Sequence, residues 1–188
     1  MTFPRTGHIS VNAIGWNVRD KTDIQKDIAT EVPVALVYNG VSHAVMMVTP
    51  LDLEDFALGF SISEGIIESP AQLLSLEIRA EDKGFILAMK ISEERFSCML
   101  HRKRNLTGVT GCSLCGIESL EEAVRPLPPV RGDAHIPFQS IYKAYENIHQ
   151  CQPEKVSTGA VHGAAFADTT GNIIVMREDV DVTMPLIK

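Results

Sequence analysis

Two thiols lie three positions apart in the run Gly111-Cys112-Ser113-Leu114-Cys115-Gly116, shortly after the basic run His101-Arg102-Lys103-Arg104. The thiolate is the reactive form of cysteine, and nearby cations or a helix N-terminus lower the thiol pKa. Both aids are available. Ile117, Leu120 and Val124 fall on one helical face, so a short helix over 116–124 would hold the cysteines at its N-terminus, where free amides and the dipole favour anions. The flanking glycines suit an accessible turn, which points to sulfur chemistry rather than architecture.

Other uses of such a pair are weaker. Structural zinc needs four ligands, yet Cys98 and Cys151 are isolated and the sequence has no second Cys-x-x-Cys and no histidine pair at finger spacing. A thioredoxin-type pair belongs between a strand and a long helix, whereas Arg125-Pro126-Leu127-Pro128-Pro129 ends this helix early. Two space-filling thiols would not call for the glycines. The basic run has two readings. Arg102 and Arg104 could attract phosphates or stabilise a thiolate, or the run could be a charged, solvated strand edge.

A second candidate group is Thr158-Gly159-Ala160-Val161-His162-Gly163. His162 reads either as a satisfied core histidine in an apolar strand or as a hydrogen-bond and proton partner of the cysteines. In the second case Gly159 and Gly163 let a large ligand approach the backbone, and Thr158 lines the same pocket. Glu178 and Asp179 would then orient His162, or else cap the sheet.

The elements that must position these groups follow from periodicity. Residues up to about Asp27 form a strand or arm. Val32–Tyr38 and Ala44–Val48 make a hairpin around Asn39-Gly40. Thr49 caps a helix with Pro50 in its first turn, Leu53, Phe56, Ala57 and Phe60 as its buried stripe, and Gly65 as its stop. Leu76–Arg79 and Phe85–Ile91 form a second hairpin. Phe138, Ile141, Tyr145 and Ile148 give the apolar face of a helix from about Pro137 to His149. Val161–Ala167 and Ile173–Met176 form a third hairpin around the Asp168–Asn172 turn. The order predicts an α+β fold.

Of the 188 residues, 45% are hydrophobic and 22% charged, the composition of a globular chain, and the net charge of −7 argues against general nucleic-acid binding. Four cysteines make no disulfide scaffold, and neither a signal core nor a membrane-spanning apolar run is visible, so a cytoplasmic protein is expected.

In order along the chain, Glu31-Val32-Pro33 with Asn39-Gly40, Thr49–Phe60 running into Ser63-Glu64-Gly65-Ile66-Ile67, Thr110–Gly116, Thr158–Ala165 and Glu178-Asp179-Val180 resemble the FdhD family of formate dehydrogenase accessory sulfurtransferases. The resemblance implies a sulfur carrier. It would accept persulfide sulfur from a cysteine desulfurase and pass it to the molybdenum bis-molybdopterin guanine dinucleotide cofactor, the acceptor substrate, before that cofactor enters formate dehydrogenase. No cofactor would be bound permanently. Cys112 would carry the persulfide with Cys115 as its partner, and Arg102, Arg104, Thr158, Gly159 and His162 would face the cofactor.

The implied fold is a small N-terminal α+β unit over 1–108 and an incomplete cytidine deaminase-like α/β domain over 109–188, in a chain that could form homodimers. A thiol-disulfide redox protein and a zinc-stabilised formate dehydrogenase chaperone are the alternatives. A deaminase-like zinc hydrolase is disfavoured: its His-x-Glu and Pro-Cys-x-x-Cys elements are missing, Gly111 preceding Cys112 and Arg102-Lys103 following His101.

After Val180 the family pattern Gly-Arg-His-Asn-Ala-Leu-Asp-Lys gives way to Asp181-Val182-Thr183-Met184-Pro185-Leu186-Ile187-Lys188. A shift of one base in reading frame converts one string into the other, so a frameshifted or truncated reading frame is expected. With it go an uncovered apolar sheet face and weak cofactor binding by this chain alone.

Overall fold

The computed structural model describes residues 6–104, 129, 132 and 135–188, apart from the side chains of 102–104. Its centre is a four-stranded sheet of β3 (Val32–Tyr38), β4 (Val41–Val48), β5 (Leu73–Glu81) and β6 (Gly84–Ile91), in the order β4-β3-β6-β5. Val32, Val34, Leu36 and Tyr38 alternate along β3 and are all fully buried, the period-two pattern of a strand with one face on a core. Asn39 and Gly40 turn the chain into β4 with φ of 45° and 83°, the two left-handed residues of a tight hairpin.

The side chain of Asn39 also works as a strand extension. Its Oδ1 accepts from the Ile91 amide at 2.9 Å and its Nδ2 donates to the Ile91 carbonyl at 3.1 Å. The parallel pairing of β3 with β6 starts at Val34 and Phe85. Gly84 there passes so near Pro33 that a Cβ would stand 1.9 Å from its carbonyl oxygen.

Helix α1 (Leu53–Ser63) lays Leu53, Phe56, Ala57 and Phe60 on this sheet, the stripe read from the sequence. Its start differs from the expectation. Asp52, in a left-handed conformation at φ 52°, is the N-cap residue, and Thr49 and Pro50 lie before the helix. Thr49 is used elsewhere: its hydroxyl accepts from the Val180 amide at 3.1 Å and its own amide donates to Asp179 Oδ2 at 3.0 Å. Gly65, at φ 64°, does end the helix region.

Helix α2 (Glu93–Arg104) follows β6. It fastens the end of α1, because Arg95 donates from Nε to the Ile66 carbonyl at 2.8 Å and from Nη2 to the Gly65 carbonyl at 2.7 Å. The basic run His101–Arg104 is the last turn of this helix rather than a strand edge. The sequence reading passed over α2 altogether.

Two further sheets are hairpins. β1 (His8–Trp16) pairs with β2 (Lys21–Ala29), and β7 (His162–Ala167) with β8 (Ile173–Asp179). Between β6 and β7 the described chain also holds α3 (Phe138–Asn147), a 3-10 turn at Ile148–Cys151 and α4 (Pro153–Thr158); α5 (Met184–Ile187) follows β8. Gly59 of α1 lies directly under α5, where an added Cβ would meet the Ile187 carbonyl oxygen at 1.5 Å.

The helix expected near 137–149 is present, but its apolar face is not buried. Phe138, Ile141, Tyr142 and Tyr145 are more than half exposed, and Ser140 is the residue that packs inward, against Gly171. Phe166 and Ile174 of the third hairpin are also exposed. The expected division at 108/109 falls outside the described residues.

Phe56 fills the space between α1 and the sheet and is fully buried. Phe56→Ala is expected to lower unfolding stability by about 3–5 kcal/mol, read as a fall in the urea midpoint at unchanged slope.

Candidate functional site

Cys112 and Cys115 lie outside the described residues, and so do the side chains of Arg102 and Arg104. The structure describes Thr158, Gly159 and His162, which span the turn from the last residue of α4 to the first of β7.

Pro153 starts α4, where its fixed φ and missing N–H cost nothing. The first-turn amides of Glu154 and Lys155 are met by a carboxylate from another element: Glu178 Oε2 and Oε1 accept them at 3.0 and 2.9 Å. Negative charge at this end also suits the helix dipole. Thr158 closes the helix. Its hydroxyl donates to the Glu154 carbonyl at 2.7 Å and accepts from the Ala160 amide at 3.2 Å, which leaves it buried and committed to the backbone.

Gly159 then takes φ 70° and ψ 5°, the left-handed conformation that glycine adopts without strain, with its amide donating to the Lys155 carbonyl at 2.9 Å. A Cβ added there would meet nothing within 4 Å among the described residues, which leaves the backbone at Gly159 open on that side. Gly163 differs. A Cβ at that residue would lie 2.2 Å from Met176 Cε and 2.4 Å from Gln152 Nε2. Its lack of a side chain leaves room for Met176 and Gln152.

His162 is the first residue of β7 and is exposed, so the core-histidine reading is overturned. It pairs in register with Asp179 and has Asp181 as a charged neighbour. Hydrogen bonds from the Thr183 hydroxyl and amide, at 2.6 and 2.8 Å, hold the Asp181 carboxyl below its ordinary value, and the attraction of His162 adds to this. Burial pushes the Glu31 carboxyl up, and the charges of Asp179 and Asp181 push the same way.

Neither Glu178 nor Asp179 orients His162 through a hydrogen bond. Glu178 is the external cap of α4, while the fully buried Asp179 pairs with Lys188 Nζ at 2.7 Å and receives the Thr49 amide. Sequence reasoning missed Glu154, whose carboxylate reaches His8 Nδ1 at 2.7 Å. The Pro153-Glu154 pair was the available signal, as a helix first turn.

Among the described residues no group of three or more histidine, cysteine, aspartate or glutamate side chains is arranged to hold a metal ion. Within the same residues no helix is long and apolar enough to cross a membrane. The free thiols described are Cys98, exposed on α2, and Cys151, partly buried after α3.

The hairpin that carries His162 is tied at its far end by Asp168. Its carboxylate accepts from the Asn172 amide, the Thr170 hydroxyl, the Asn172 side chain and the Thr170 amide at 2.7–2.9 Å. These bonds, the Asn172 amide first, hold the carboxyl far below its usual range. A depressed carboxylate contributes stability that is complete above its unfolded pKa and is lost as the pH falls through the lower folded value. The difference in Tm between the parent protein and Asp168→Ala is therefore expected to be full above about pH 4 and to shrink below it, as followed by thermal melts across an acid series.

Residues 29–181 match the model of the FdhD/NarQ family. A protein of Cupriavidus necator named sulfur carrier protein FdhD is 47% identical over 154 residues, 82% of this chain and 54% of its own length. A Xanthomonas euvesicatoria protein of the same name is 45% identical over 185 residues, 96% of this chain and 66% of its own. The chain thus spans between about half and two thirds of the relatives it matches. A crystal structure from Desulfotalea psychrophila, assigned as a formate dehydrogenase accessory protein, superposes with a TM-score of 0.70 at 20% identity, over 97% of this chain and 67% of that one. That likeness shows the fold.

Proposed function

Because the chain belongs to the FdhD/NarQ family, we propose that it is a sulfur carrier acting in the maturation of formate dehydrogenase. The observation that carries this reading is identity of 45% over 185 residues with a relative named for that role, together with the Cys112-Ser113-Leu114-Cys115 run in this sequence. A cysteine desulfurase is the proposed donor and the molybdenum bis-molybdopterin guanine dinucleotide the acceptor.

In the first step the Cys112 thiolate attacks the terminal sulfur of the donor's persulfide. The donor leaves as a thiolate and Cys112 becomes Cys-S-S⁻, with no net oxidation. In the second, the Cys115 thiolate attacks Cys112 Sγ, the terminal sulfur departs to the acceptor at the oxidation level of sulfide, and an intramolecular disulfide forms. A dithiol reductant returns that disulfide to two thiols, so two electrons enter for each sulfide delivered.

The open backbone at Gly159 supports a role for this turn in approaching the acceptor, and His162 is exposed beside it as a hydrogen-bond partner. Arg102 and Arg104 are proposed to attract the acceptor's phosphates.

Incubation of the purified chain with a cysteine desulfurase and cysteine, followed by intact mass measurement, is expected to show the addition of one sulfur atom. Cys112→Ala should abolish the gain. A folded protein that gains no sulfur under these conditions would sink the reading, and reversible disulfide formation without sulfur gain would replace it with a redox role.

A further inference from the structure

The family model begins at residue 29, so nearly all of the β1–β2 hairpin precedes it, yet the hairpin reaches the candidate site. Gly7 and His8 stand against the carboxylate of Glu154 on α4. A Cβ at Gly7 would lie 2.2 Å from Glu154 Cδ, and His8 Nδ1 is 2.7 Å from Glu154 Oε2. The Glu154 side chain is 12% exposed and that of His8 33%.

Glu154 is bound at three points. Its carboxylate meets His8, its amide donates to Glu178, and its carbonyl accepts the Thr158 hydroxyl. The Thr158 hydroxyl in turn accepts from the Ala160 amide, inside the turn that presents Gly159 and His162. A continuous series of polar contacts therefore runs from β1 through α4 to this turn.

We propose that His8 and Glu154 are positioning residues, through which the β1–β2 hairpin fixes the 158–162 turn in place. The functional meaning rests on the reading that this turn approaches the acceptor; the positioning itself does not. Charged groups around His8 are few. Glu154 faces it from α4 and Asp27 from β2, while Lys26 occupies the opposite face of the hairpin and Lys155 is exposed.

The hydrogen bond to Glu154 raises the His8 pKa, with smaller contributions from the charges of Glu154 and Asp27, against opposing desolvation. A group with a raised folded pKa contributes stability below its unfolded value and loses it as the pH rises through the folded one. The brace is thus tighter with His8 protonated.

The test is amide exchange at Ala160, resolved by NMR and corrected for intrinsic rates, from about pH 5 to about pH 8 on the full chain. In the parent protein, protection at Ala160 should fall as the pH rises through the His8 transition. His8→Ala should accelerate exchange at Ala160 about tenfold at the low end, with the β3 amides unchanged. His8→Asn, which places an uncharged donor where Nδ1 stands, should restore part of the protection and remove its pH dependence. Unchanged exchange in His8→Ala, a loss shared equally by the β3 amides, or pH dependence retained in His8→Asn overturns the proposal. Because sulfur loading of Cys112 is not part of the readout, failure here leaves the sulfur-carrier reading standing.

Discussion

A carboxylate taken wholly out of water must be matched atom by atom, and the packing of the C-terminal segments on the N-terminal sheet depends on one such group. Asp179 receives the Thr49 amide on one oxygen, with Lys188 Nζ at 2.7 Å, and the Asp181 amide on the other at 3.2 Å. Removing one partner would strand a buried charge, a loss of about 3–5 kcal/mol, so the arrangement is kept whole or lost whole. The lysine is held further by the Thr49 carbonyl at 3.0 Å and the Glu178 carbonyl at 3.4 Å.

The neighbouring carboxylate, Glu178, faces the other way. Successive side chains of a strand leave on opposite sides, so a Glu-Asp pair at the end of β8 serves two elements at once: α4 through Glu178 and the N-terminal sheet through Asp179. Arg177 adds a third tie, from the same strand to Asp55 of α1, with Nε at 2.8 Å. Three consecutive charged residues thereby set β8 against both halves of the described chain.

The alternating burial of Val32, Val34, Leu36 and Tyr38 and the stripe of Leu53, Phe56, Ala57 and Phe60 were legible in the sequence because local period and burial agree there. The start of α1 was not, because Thr49 is drawn away from capping by a contact 130 residues distant. Helix α2 was less legible: Ser92-Glu93-Glu94 is a fair start signal and Phe96, Met99 and Leu100 have helical spacing, but the charged residues around them leave only a narrow apolar stripe. The face of α3 was misjudged for another reason. Amphipathic spacing gives an apolar side but not whether anything lies against it, and Phe138, Ile141 and Tyr145 meet solvent here.

The small residues and the histidine of Thr158–His162 mark that run in the sequence, whereas the contacts of its members follow only from their neighbours in space. Thr158 serves the backbone, Gly159 supplies the left-handed bend, and Gly163 yields room to Gln152. At Gly59 the same kind of close approach shapes the other end of the molecule. A glycine within a helix forgoes about 1 kcal/mol relative to alanine, and here it opens a notch in α1 only a hydrogen atom deep. Helix α1 is therefore a saddle as well as a core element: the sheet shapes one side of it and the chain that rides across Gly59 shapes another, with Met184 and Ile187 joining that chain to the same apolar cluster.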